Sequence, residues 1–383
     1  MNKENKIGFN VPYITGKESV YLSEVTENRK LSGDGKFTKL CNEFFKDKFN
    51  FNSVFLTTSC TDALEMSAIL TGISFGDEVI APSYTFVSTV NAFVLRGAKI
   101  VFIDSQKNNP NMDIDLIESK INEKTKAIIA VHYAGIACDM DRIMAIAEKY
   151  NLFVIEDSAQ AINSFYKGKP LGSIGHFGAF SFHETKNIIS GEGGLIVVND
   201  ENFIKRAEII REKGTNRSSF FRGEVDKYNW IDLGSSFLPS ELISAFLYAQ
   251  LQDLEHIQEI RVKIWNRYEN KLKSIAEKGY LQLPEIPSFA TNNAHMFFVI
   301  CENIEIRTEL IDYLKSKNIF SVFHYISLHH SEFYTKQHPD QKDFLPNSDK
   351  FSDCLLRLPL HCYLSDEDID RVCFEIENFF LEK

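Results

Sequence analysis

The chain lacks a Lys/Arg block, a CxxC pair and any apolar run approaching the roughly 20 residues of a membrane span. Its 42 basic and 53 acidic residues give a net charge of −11. That field, with no basic stripe to track phosphates, excludes nucleic acid as an expected partner. An anionic substrate must be held by local donors against the overall charge. The seven cysteines, Cys41, Cys60, Cys138, Cys301, Cys354, Cys362 and Cys373, are scattered and odd in number, a usage that fits free thiols in a reducing compartment. The opening "MNKENKIGFN" has no apolar h-region behind its charges, so no secretory signal is expected. The reading is a cytoplasmic protein without a membrane partner, and no repeat or low-complexity segment alters it.

Three chemical motifs are also missing. No GxxxxGK[ST] phosphate loop occurs, and no GxGxxG follows the first apparent strand. The HExx start at His183 reaches Asn187 where a zinc helix needs its second histidine. No metal site is therefore expected.

What the chain does have is length and rhythm. With 383 residues and 44% hydrophobic content it is too large for one core, so two domains are expected. From about residue 54, short apolar runs alternate with longer amphipathic ones. "VFLTTS" leads into "TDALEMSAILTGI", "DEVIAP" into "TFVSTVNAFVLRG", "KIVFID" into "IDLIESKI", and "KAIIAVHYAG" into "DRIMAIAEKY"; "LFVIEDSA" closes the series. Apolar runs without polar alternation suit strands buried on both faces, which predicts an α/β fold with a mostly parallel sheet. "GAFSFH" and "GLIVVN" read as further strands, and "FIKRAEIIREKG" as a helix stopped by Gly214.

Residues 215–238 break the pattern with five aromatics and no clear period, a loop of functional rather than disordered composition. A long helical stretch over roughly 240–277 then leads to a smaller α+β unit. In it "HMFFVICEN", "IFSVFHY" and "CLLRLPL" read as strands, and "RTELIDYLKSKN" and "DEDIDRVCFEIENFFLEK" as helices. The boundary is placed near residue 250, giving a large domain over 1–250 and a small one over 251–383.

Candidate chemistry gathers at the strand ends, where open α/β sheets bind ligands. "TTSCTDALEM" puts Ser59, Cys60 and Thr61 at a helix N-terminus, a natural anion site whose ordinary alternative is simple capping. "PSYTFVST" presents Tyr84 and Phe86, flat partners for a flat cofactor or plain core. "LFVIED" stops on Glu156 and Asp157, and a carboxylate there could hold a pyridine nitrogen protonated or merely cap a helix. "SFHETKNIISGEGG" supplies Lys186, which alone would pass for a surface lysine. A phosphate cup, an aromatic, a carboxylate and a lysine at successive strand ends together read as a lysine that condenses with a pyridoxal phosphate cofactor.

"TSCTDALEM", "PSYTFVSTVNAF", "IEDSAQ", "SFHETKN" and "GEGG" resemble the DegT/StrS-type nucleotide-sugar aminotransferases. The likeness runs from "GDGKFTK" through "VHYAG" and "REKGTNRS" to "FHYISLH" and "LRLPL". Within that family it is most similar to enzymes that make dTDP-4-amino-4,6-dideoxy-D-galactose. The resemblance implies the aspartate-aminotransferase fold (pyridoxal phosphate fold type I), a homodimer with shared active sites, and L-glutamate and a dTDP-4-keto-6-deoxyhexose as substrates. The product would serve surface polysaccharide such as lipopolysaccharide O-antigen.

It also implies roles. Lys186 would bind the cofactor covalently and move the substrate proton, Asp157 would pair with the ring nitrogen, and Gln160 would bond the ring oxygen. Phe86 would lie over the ring, while Cys60, Thr61 and Ser181, beside Ser59, would hold the phosphate. Where relatives carry an asparagine that reaches the partner subunit's phosphate, "GSSF" has the shorter Ser236. Relatives with histidine in place of the lysine remove a sugar hydroxyl, so Lys186 favours transamination. For the sugar nucleotide the candidates are Lys36, Arg217, Arg222, His324 and His329, the histidines being equally suited to structural hydrogen bonds. The gluco epimer, another nucleotide, a pyridoxal-dependent lyase or dehydratase, and a cofactor-binding protein without turnover stay open as alternatives.

Overall fold

The computed structural model describes residues 6–381. Its central sheet contains β1 (Ser53–Thr57), β2 (Glu78–Pro82), β3 (Lys99–Ile103), β4 (Thr125–Val131) and β5 (Phe153–Asp157). After a short hairpin of β6 (Phe165–Tyr166) and β7 (Lys169–Pro170) come β8 (Phe177–Ser181) and β9 (Gly194–Val198). The order across the sheet is β1-β9-β8-β5-β4-β2-β3. From β3 to β8 every pairing is parallel, and β9 alone runs against both of its neighbours. The fold is α/β, as the apolar runs predict.

The strands carry apolar residues at consecutive positions because both faces are covered. Alternate residues such as Ile129, Ile155, Ala179 and Ile196 enter a core with α3 (Cys60–Leu70), α4 (Ser88–Val94) and α6 (Ile204–Arg211). The residues between them face α5 (Met140–Tyr150), or α2 (Lys36–Phe49) and α8 (Glu241–Leu251). The period of two decides which helix each strand residue meets. Helix α1 (Glu18–Glu27) packs on α8, and α7 (Arg217–Phe221) is a short turn within the 215–238 segment.

Three expectations need correction. "IDLIESKI" forms two 3-10 turns, Ile114–Leu116 and Glu118–Lys120, because Asp113 accepts from the Asp115 amide and shapes a tight turn there. The long helix is two helices, α8 and α9 (Leu254–Glu277), parted at Gln252 and Asp253. "IFSVFHY" is no strand; it makes isolated bridges at Ile319 and Val322. Gly214 does end the α6 region, with φ +74 and its amide on Ile209 O at 2.9 Å, and a Cβ there would meet Asp232 O at 1.8 Å.

The second unit joins β10 (Phe297–Ile300) and β11 (Leu355–Leu358), antiparallel, to α9, α10 (Ile304–Ser316) and α13 (Asp366–Leu381). Helices α11 (Glu332–Gln337) and α12 (Pro346–Cys354) connect them. Cores and chain order do not coincide. Ile7 sits in the second core, bridged to Ile319, whereas Tyr334 and Leu345 pack in the sheet core. Near the expected boundary at residue 250, Leu254 and Ile257 still pack with the sheet and Ile264 onward with the second unit.

Candidate active site

Gly194 sets the geometry of the site. It pairs with Thr57 on one side and Ser181 on the other, so the ends of β1 and β8 meet at one rung. The start of α3 lies against it: a Cβ on Gly194 would meet Ser59 C at 2.3 Å and Cys60 N at 2.5 Å. Only a glycine lets the helix N-terminus come this close to the sheet. Ser59 caps α3 by accepting from the Asp62 amide at 3.1 Å, while Thr61 Oγ1 donates to Ser88 Oγ at 2.8 Å. A helix N-terminus ringed by hydroxyls is a fitting place for a phosphate dianion.

At the end of β5, alternation divides the two acids. Glu156 turns into the core and accepts from His132 Nε2 and the amides of Gly172, Ile174 and Gly175, at 2.6–2.9 Å. His132 Nδ1 accepts from the Cys138 amide, which leaves the proton on Nε2 for Glu156. Asp157 turns the other way. Its Oδ2 accepts from Thr89 Oγ1 at 2.6 Å and its Oδ1 from the Ala159 amide at 3.2 Å. Glu156 is structural and Asp157 faces a cavity of about 720 Å³.

Lys186 enters the same cavity from the β8–β9 connection. Its amide donates to His183 O at 2.9 Å, closing a turn, and the buried Asn187 anchors the next residue. Asn187 Nδ2 donates to Asn293 O at 2.8 Å, and its Oδ1 accepts from His295 Nδ1 at 2.9 Å. Lysine is thus presented by a turn fixed on both sides. Burial pulls the Lys186 pKa below the ordinary lysine value and Arg357 adds to this, while the Asp157 carboxylate opposes it. Burial pushes the Cys60 thiol well up, with Asp157 assisting, so Cys60 is a neutral thiol rather than a nucleophile.

The structure places Ser59, Cys60, Thr61, Phe86, Asp157, Gln160, Ser181, Lys186 and His324 around this one cavity. Phe86 is 54% exposed, its ring 6.0 Å from that of Tyr325, an accessible flat face at the cavity. Gln160 is held by the Ala134 amide at 2.6 Å and donates to Tyr325 Oη at 2.9 Å, which leaves its second amide hydrogen for a ligand. His324 stacks on Tyr325 at 3.5 Å and meets Tyr133 Oη at 2.7 Å through Nδ1. Burial takes its pKa well below the ordinary value.

Five candidates do not line the cavity. Lys36 pairs with Glu24 at 2.5 Å, and Arg217 with Glu212 at 3.2 Å. Arg222 is clamped by Glu208 and Glu224 at 2.5 and 2.6 Å. Each of these half-exposed cations is held in a surface ion pair within this protomer. His329 is buried against Ser83, with Nδ1 2.7 Å from Oγ. Ser236 is exposed on a bridge with Glu212.

Cavity residues that the motifs did not reveal come mainly from the second unit: His295, Tyr325 and Arg357, with Arg261 of α9. Arg357 had a signal, a lone cation inside the apolar "LLRLPL" strand. Its guanidinium lies 4.8 Å over the Phe9 ring, donates to Phe323 O at 3.2 Å, and keeps a buried Nε without a hydrogen-bond partner. Burial also lowers the pKa of His295, with Lys186 next, so it is a neutral ring that donates from Nδ1 to Asn187.

An amine, an oriented carboxylate, an anion-binding helix end and a flat aromatic around one cavity fit a phosphorylated pyridine aldehyde. Among the described residues no helix is long and apolar enough to cross a membrane. Comparison with known proteins points the same way. The description of the DegT/DnrJ/EryC1/StrS aminotransferase family matches residues 12–377. The chain is 32% identical over 371 residues to the spore coat polysaccharide biosynthesis protein SpsC of Bacillus subtilis, covering 95% of this chain and 94% of that one. It is 31% identical over 379 residues to GDP-perosamine synthase of Escherichia coli O157:H7, covering 97% and 98%. The putative sugar aminotransferase Spr1654 of Streptococcus pneumoniae, solved in its PLP form, superposes with a TM-score of 0.89 at 26% identity, covering 99% of both chains. The protein is a member of the DegT/DnrJ/EryC1/StrS aminotransferase family, a sugar aminotransferase whose cofactor is pyridoxal phosphate.

Proposed function

We propose that this enzyme transfers the amino group of L-glutamate to C4 of dTDP-4-keto-6-deoxy-D-glucose, giving dTDP-4-amino-4,6-dideoxy-D-galactose for a surface polysaccharide. The observation that carries the reading is the meeting of Lys186 and Asp157 in one cavity beside the α3 N-terminus. When bound, pyridoxal phosphate supplies an aldehyde that amines condense with and a ring that withdraws electrons.

The chain's own residues do the rest. Ser59, Cys60, Thr61 and Ser181 would hold the phosphate, and Asp157, fixed by Thr89, would pair with the ring nitrogen. Phe86 would cover a ring face, and Gln160 would offer its remaining amide hydrogen to the ring oxygen. Lys186 Nζ, whose pKa burial lowers, takes the proton from the donor carbon and delivers one to the sugar carbon. Arg357 holds the donor's carboxylate. The 215–238 segment exposes Phe221, Tyr228, Trp230 and Ile231, which supports packing against a second copy and delivery of Ser236 to the partner's cavity.

A second reading, a GDP-linked keto sugar, is favoured by the near full-length likeness to GDP-perosamine synthase. The test incubates holoenzyme with glutamate and either dTDP-4-keto-6-deoxy-D-glucose or GDP-4-keto-6-deoxy-D-mannose, then reads the product C4 configuration by NMR. Turnover of the dTDP sugar with a small H3–H4 coupling, the sign of an axial amine, supports the proposal. A large coupling, or turnover of the GDP sugar alone, overturns it.

A further inference from the structure

We propose that His329, His330 and Asp349 form a binding site for a divalent transition-metal ion of the zinc class, outside the active-site cavity. The two histidines belong to the 3-10 turn Leu328–His330, and Asp349 lies in the first turn of α12. His329 Nε2 is 3.5 Å and His330 Nε2 3.2 Å from the same oxygen, Asp349 Oδ1. One ligand atom from each residue falls within 4.8 Å of the others. Tetrahedral zinc with bonds of about 2.0–2.1 Å holds its ligand atoms roughly 3.3 Å apart, and the two measured separations bracket that value.

A second observation is independent of the clustering. His329 is 5% exposed, yet its Nε2 and the facing Asp349 Oδ1 are buried atoms without a hydrogen-bond partner. A buried nitrogen 3.5 Å from a buried oxygen, neither of them in a hydrogen bond, leaves an open valence on each. The outer shell is also in place. His329 Nδ1 is bonded to Ser83 Oγ at 2.7 Å, and the same oxygen accepts the His329 amide at 3.2 Å, which fixes the ring plane. Exposed His330 opens the fourth position to solvent.

The site is discontinuous in sequence, which is why the missing HExxH motif gave no hint of it. Its place suggests a clasp. Leu328 N donates to Ser83 O at 2.9 Å at the end of β2, just before Thr85 and Phe86 of the cavity. On the other side the chain continues back to His324 and Tyr325. An ion here ties α12 to the segment that carries one wall of the active site, and stabilises the fold by mass action.

The test uses untagged, metal-stripped holoenzyme titrated with Co2+ as an optical probe. The expected result is one equivalent bound, visible tetrahedral d–d bands displaced by Zn2+, and a rise in the unfolding midpoint. His330→Ala is expected to weaken Co2+ binding at least tenfold and abolish the bands while leaving metal-free activity unchanged. Asp349→Asn serves as a second variant, since substituting His329 would also break the Ser83 anchor. Absence of bands in the native protein overturns the proposal, as do bands of equal strength in His330→Ala.

Discussion

Thr89 Oγ1 donates a 2.6 Å hydrogen bond to Asp157 Oδ2, and Thr85 Oγ1 lies 2.8 Å behind it. All three residues are buried. The bond joins α4 to the end of β5 and holds the carboxylate in one rotamer. Replacing Thr89 with valine keeps the shape and removes the donor. A hydrogen bond to a charged group contributes about 1.5–3 kcal/mol, so kcat is expected to fall roughly 10- to 150-fold with weaker cofactor binding. Steady-state kinetics and a cofactor titration of Thr89→Val check this; wild-type values for both would show that Asp157 needs no such orientation.

Gly194 tests the phosphate cup by geometry alone. A methyl group there would collide with backbone atoms of Ser59 and Cys60, which cannot rotate away. Gly194→Ala is expected to cost about 1–3 kcal/mol of stability and to displace the α3 N-terminus. The readouts are the unfolding midpoint and pyridoxal phosphate affinity. A stable variant with native cofactor affinity contradicts the close approach.

These two positions also show what a linear sequence makes legible. The strand runs were readable because burial on both faces leaves little room for polar residues. Ser59–Thr61, Asp157 and Lys186 were readable because strand ends in such a sheet converge on one edge whatever the intervening loops do. The separation of Glu156 from Asp157 follows from strand alternation. Arg222 and Lys36 lie outside the cavity of one protomer, and their pairing with Glu208, Glu224 and Glu24 is not marked by any motif. His295 and Arg357 were missed because they reach the cavity only through the packing of a second unit, while the candidate His329 is held outside the cavity by a contact with Ser83, 246 residues away.

Lys186 carries a pH signature. Its folded pKa lies below the ordinary lysine value, so folding disfavours its charged form. The destabilisation is fully present below the folded pKa and disappears above the unfolded value of about 10.4. Apoprotein with Lys186→Met is therefore expected to be more stable than wild type at neutral pH, the gap closing as pH rises. Denaturant melts across pH measure it. Activity behaves differently, since loss of the lysine amine removes proton transfer worth on the order of 10²–10⁴-fold. Borohydride treatment of the holoprotein fixes cofactor to wild type and not to Lys186→Ala.

Arg357 yields the sharpest separation of binding from chemistry. Its guanidinium sits beside the cavity over Phe9, with one nitrogen bonded to Phe323 O and a buried Nε lacking a partner. A cation so placed is desolvated and meets an anion strongly. Glutamate brings its carboxylate to the carbon on which Lys186 acts, whereas the sugar brings a ketone there and its charge lies further along the diphosphate. Arg357→Gln keeps a planar donor but removes the charge. The KM for glutamate is then expected to rise about 10- to 150-fold, as loss of a charge-assisted bond of roughly 1.5–3 kcal/mol requires. The KM for the sugar nucleotide should change little, and kcat at saturating glutamate should stay close to wild type. Single-turnover kinetics of the two half-reactions separate these outcomes. An effect confined to the sugar half-reaction would assign Arg357 to the diphosphate.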